Sequence, residues 1–125
     1  MRSPRVKLLA DEPRTQKLSD QAVASREAIA VARPFNALVD GWQIQIATLS
    51  VLANRSGKGI ERLVELSDRA RVLGRAIDDE QLAFDAVVKS LPQELATNPR
   101  IGNTRRNFAK ASAAIQSIRA ILAAS

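Results

Sequence analysis

The chain contains no cysteine, no histidine and no tyrosine. Without cysteine there are no disulfides and no thiolate chemistry, and without histidine as well the usual ligands of a zinc site are gone. Aromatic residues make up 3% of the sequence (Phe35, Trp42, Phe84 and Phe108), so Ala, Leu, Ile and Val have to build the core. Such a composition, rich in alanine and poor in glycine, favours helix over sheet. No run approaches the roughly 18 apolar residues of a membrane span. The apolar stretch near Met1 is cut off by Asp11 and Glu12, too early for a secretory signal. A cytoplasmic protein with no membrane span is therefore expected.

Carboxylates are missing from one end. The last acid is Glu94, and residues 92–125 carry five Lys/Arg against that single acid, whereas residues 41–91 balance at seven against seven. Residues 1–40 hold seven against five, so most of the net charge of +6 lies in the C-terminal third. Net charge of one sign speaks to association with an anionic partner.

What is present fits one domain: 125 residues, 46% of them hydrophobic, enough for a core without covalent staples. Residues 1–18, with Pro4, Pro13 and five Lys/Arg, read as a mobile basic arm. Residues 19–125 read as a single helical bundle domain. Ser19-Asp20 offers a helix cap, and Pro34 is expected to end that first helix near Arg33. From Phe35 to Asn54, one helical face collects Phe35, Leu38, Val39, Trp42, Ile46, Leu49 and Ala53. Ile44 and Val51 fall on the opposite side, which points to a helix central in its bundle. Trp42–Ile46 also alternates like a strand, but the alternation fails over Ala47–Leu52.

Asn54–Gly59 is a turn. Beyond it Leu63, Ala70, Ile77, Phe84 and Leu91 recur every seven residues, with Leu66, Leu73 and Val87 as intermediate rungs. No proline interrupts this heptad-like, coiled-coil stripe, so a long helix over about 60–91 is expected, with a break at Asp78-Asp79 as the alternative. Pro92, Pro99 and Gly102 mark a connection. Asn103 or Thr104 is then expected to cap a last helix, about 104–124, striped by Phe108, Ala111, Ile115, Ile118 and Leu122. The expected fold is all-α: an up-down bundle of four to five helices.

Ser56-Gly57-Lys58-Gly59 shares a Gly-Lys step with phosphate-binding loops, but Leu52 and Gly59 stand where such a loop requires Gly and Ser/Thr. Asp78-Asp79-Glu80 is the densest acidic cluster, yet consecutive helical side chains diverge by about 100° and do not converge on a metal. No nucleophile, base and orienting group come together by spacing. The expectation is a protein that is not an enzyme and holds neither cofactor nor metal.

The strongest functional signal is the set Arg100, Arg105, Arg106 and Lys110 near the start of the last helix. The macrodipole there is already positive, so helix stability does not explain the placement. An anion would meet backbone N–H groups and guanidinium groups together. Arg55, Lys58 and Arg62 form a second candidate patch. Nucleic-acid phosphate is the expected anion, contacted without base readout. The alternative is a structural subunit or adaptor of a larger assembly. A protein partner or a homo-oligomer is expected in either case, and the apolar rows (Leu63, Leu66, Ala70, Leu73, Ile77, Phe84, Val87 and Leu91 on one helix; Phe108, Ile115, Ile118 and Leu122 on the other) are expected to form a helix-pairing interface.

Overall fold

The computed structural model describes the backbone from Arg2 to Ser125 and the side chains from Asp20 onward; the arm expected over 1–18 lies outside the described side chains. The elements are α1 (Arg2–Asn54), α2 (Ile60–Lys89), α3 (Gln93–Ala96) and α4 (Pro99–Ala124). The fold is all-α, with no strand among the described residues.

α1 turns one stripe inward: Ala28, Ala32, Val39, Trp42, Leu49 and Ala53 are buried. The helix does not end at Pro34, as the sequence suggests, but runs through it. An interior proline costs a helix about 3 kcal/mol. Ala28 and Ala32 before it and Val39 and Trp42 after it share that buried stripe, and a break would carry one half out of the core. The second apolar side of α1 is not covered. Ile44 is 72% exposed and Val51 59%, so α1 is not the central helix expected from its two-sided pattern.

That place belongs to α4. It packs along both α1 and α2, which touch each other much less. Asn36 of α1 meets Thr104 of α4, and Ala53 lies beside Ile121, so these two helices run parallel. α2 returns between the same ends in the opposite direction, from Leu63 beside Ile121 to Phe84 beside Phe108. At Gly74 the approach of α2 to α4 is close: a Cβ there would lie 3.1 Å from Ile115 Cγ2.

All four aromatic side chains gather where the three long helices meet. Phe35 and Phe84 stack edge-on with centroids 5.0 Å apart, and Phe108 lies 5.6 Å from Phe84 and 5.7 Å from Trp42. Each such pair adds about 0.5–1.5 kcal/mol beyond its buried area.

α2 is one continuous helix, without the alternative break at Asp78-Asp79. It buries Leu66, Ala70, Leu73, Ile77 and Phe84, while Leu63 and Leu91 are only half-buried. Val87 is exposed and Val88 is buried in its place. A straight α-helix drifts about 20° per heptad, and by the last repeat that drift shifts the inward position by one residue. α2 stops at Lys89, and Pro92 opens the single turn of α3.

α4 starts five residues earlier than expected. Its cap is Asn98, whose Oδ1 accepts from the Arg100 N–H at 3.0 Å, with Pro99 at the first helical position. Thr104, expected to cap the helix, is instead fully buried within it. Phe108, Ala111, Ile115, Ile118 and Leu122 are all buried.

Candidate interaction surfaces

The earlier start of α4 changes the setting of its cations. Only Arg100 sits in the first turn, so the macrodipole argument applies to Arg100 alone and not to Arg105, Arg106 and Lys110. At about 100° per residue, the four also divide among three directions, with only Arg106 and Lys110 on a shared side. Arg100 turns toward α1, where it lines a hollow of about 450 Å³ with Arg33, Asn36, Asp40 and Asn103. Arg105 turns toward α2, its Nη2 lying 3.7 Å from Asp85 Oδ1. Arg106 donates to Asn103 Oδ1, and Lys110 follows it one turn on along the outer side. The structure therefore does not bring the four residues together as one patch.

The second group is divided as well. Lys58 Nζ donates to the Ala53 carbonyl at 2.9 Å and to the Arg55 carbonyl, fastening the turn onto the C-terminal end of α1. There it meets carbonyls that lack intrahelical partners, and the negative end of the macrodipole favours its charge. Gly57, at φ 74°, allows the chain to reverse. Arg62 Nη1 binds Glu65 Oε2 at 3.1 Å. Of the three, Arg55 alone forms no ion pair or side-chain hydrogen bond among the described residues.

Two features were not anticipated from sequence. Arg33 joins Arg100 from a distant part of the chain, and Asn36 lines the same hollow. The Thr104 hydroxyl donates to Asn36 Oδ1 at 3.0 Å, fixing the amide at the rim of the hollow. Asp40 borders the same hollow and offsets part of its positive charge.

The larger feature is apolar. Next to the aromatic cluster, a groove of about 590 Å³ opens between Trp42, Ile44, Gln45, Thr48 and Leu49 of α1 and Asp68, Arg69, Val72, Leu73 and Ala76 of α2. Its only ionisable lining groups are Asp68 and Arg69. Val72 is 56% exposed, and Ile44 links the groove to the uncovered side of α1.

Among the described residues, no group of three or more acids is placed to hold a metal ion, and no helix is long and apolar enough to cross a membrane. Compared with known proteins, the chain matches no family model, no curated protein and no solved structure.

Proposed function

We propose that this chain is a non-enzymatic helical assembly protein that associates through apolar helix surface. The observation that carries this reading is the uncovered side of α1 beside the α1–α2 groove, where Ile44, Val51 and Val72 stand in solvent. Scattered aliphatics on a surface are ordinary. Ile44 and Val72 line one groove, and Ile44 and Val51 lie on a helical stretch, residues 41–54, that carries no charge at all. Depletion of charge around aliphatic and aromatic side chains is what distinguishes the centre of a protein interface.

The reading with an anionic partner stands second. It is favoured by the hollow that Arg33 and Arg100 share with two asparagines. It is weakened by the spread of the other cations and by the charge balance. Residues 20–125 hold fourteen Lys/Arg against eleven Asp/Glu, so half of the net +6 resides in residues 1–19.

One experiment separates the two readings: light-scattering mass of the purified chain at low and high salt, before and after nuclease. Assembly through apolar surface predicts a mass above the 13.6 kDa of one chain that survives both treatments. A mass of one chain under every condition overturns it. A mass that falls with nuclease and salt, together with nucleic-acid absorbance, favours the phosphate-binding reading instead.

A further inference from the structure

The uncharged stretch of α1 is bounded by Asp40 at one end and Arg55 at the other. At about 100° per residue, Asp40, Ile44, Ala47, Thr48 and Val51 occupy one sector of α1, turned away from Trp42, Leu49 and Ala53, and Arg55 follows as the first residue past the helix end, its N–H still donating to the Leu52 carbonyl at 3.4 Å. All six are exposed. From Asp40 to Arg55 the order is an acid, a large aliphatic, two small residues, a large aliphatic and a base. Reversed, the order is its own complement.

We propose that this face is the interface of a two-fold dimer, in which α1 of one copy crosses α1 of a second copy antiparallel, with the axis between Ala47 and Thr48. This rests on the assembly reading above and names its partner: a second copy of this chain. Ile44 and Val51 are equally far from the axis, so each packs on the other residue type in the second copy. Asp40 and Arg55 are also equally far from it and carry opposite charges, so each carboxylate faces a guanidinium twice over. Neither residue forms an ion pair with another described residue, although Asp40 borders the hollow of Arg33 and Arg100. The Lys58 ammonium, held against the Arg55 carbonyl, adds positive charge at the end that receives the acid.

A parallel arrangement would set acid against acid and base against base. An unrelated partner would have no reason to match a pattern that is symmetric on reversal. Closed two-fold contacts are self-complementary in this way. Ala47 and Thr48 at the crossing point let the axes approach to about 8 Å. The paired stretch is about 22 Å long at 1.5 Å per residue, placing the contact at the small, dissociable end of interfaces, below about 1,200 Å².

The test is a dissociation constant from sedimentation across a concentration series. Asp40→Arg and Arg55→Asp, each alone, are expected to weaken the dimer about tenfold. Mixing these two variants restores association, because every facing pair is again of opposite sign, and the double variant restores it as well. Ile44→Glu with Val51→Glu yields a single-chain mass with unchanged helicity, since both positions are exposed in one copy. If the single charge variants weaken the dimer but mixing does not rescue it, the antiparallel register is wrong. If the unaltered chain associates and none of these changes matters, the interface lies elsewhere while the assembly reading survives. If the unaltered chain is a single-chain species throughout, both fall together.

Discussion

The inner side of α4 and the outer side of α1 are stripes of similar residues with opposite fates. On α4, Ile115, Ile118 and Leu122 lie within 5% of full burial, whereas on α1 Ile44 and Val51 stand mostly in water. Hydrophobicity at helical spacing does not decide between these outcomes. Chain order does: α4 is laid into the seam between two helices already joined by a short turn, and no further element of the described chain reaches the outer side of α1. An apolar stripe states that a partner is wanted; only topology says whether the same molecule supplies it.

Three substitutions sharpen the contrast. Phe108→Ala removes the ring that touches Phe35, Trp42 and Phe84. It is expected to cost about 3–5 kcal/mol, read as a lower urea midpoint, and a loss under about 1 kcal/mol would mean that the aromatic cluster is not the centre of the fold. Gly74→Val places a branched side chain where a single Cβ is already 3.1 Å from Ile115. Overpacking there is expected to cost about 1–3 kcal/mol, seen as a lower melting temperature; an unchanged value would show that α2 and α4 can move apart freely. Ile44→Ala, measured at a protein concentration low enough for single chains, is expected to shift stability by no more than about 0.5 kcal/mol. A core-sized loss at this exposed position would erase the distinction between the two stripes.

Much of the scaffold was legible in the sequence, and the reasons are local. Low aromatic and glycine content with abundant alanine pointed to helices, and the absence of proline from 60–91 pointed to one long helix there. The stripe from Phe108 to Leu122 lies buried as its spacing suggested. Local signals misled at two helix boundaries. Pro99 was read as part of a connection, yet Asn98 caps α4 and proline at the first helical position adds to that cap, so the helix starts there and not at Asn103-Thr104. Pro34 looked like a terminator, but the tertiary burial on either side of it outweighs the local penalty.

The candidate site was less legible, because neighbours in sequence are not neighbours on a helix. Arg105 and Arg106 are adjacent in the chain, yet one pairs with Asp85 and the other with Asn103. Lys58 looked like a free cation and instead closes the end of α1. Arg33 carried no signal until α4 brought Arg100 beside it. The uncovered side of α1, by contrast, was already visible as Ile44 and Val51 opposite the main stripe. What the sequence could not show was that the fold would leave them bare.

The contact between Thr104 and Asn36 spans 68 positions of the chain. Since α1 and α2 rely on α4 to hold them together, the hairpin they form has little tertiary structure of its own before α4 arrives. Closing so long a loop precedes most of the reward, so folding is delayed until nearly all of the chain is available. During synthesis on a ribosome, the segment up to Lys89 would wait with its inner stripes exposed. Its protection against premature pairing would come from how soon the last helix emerges.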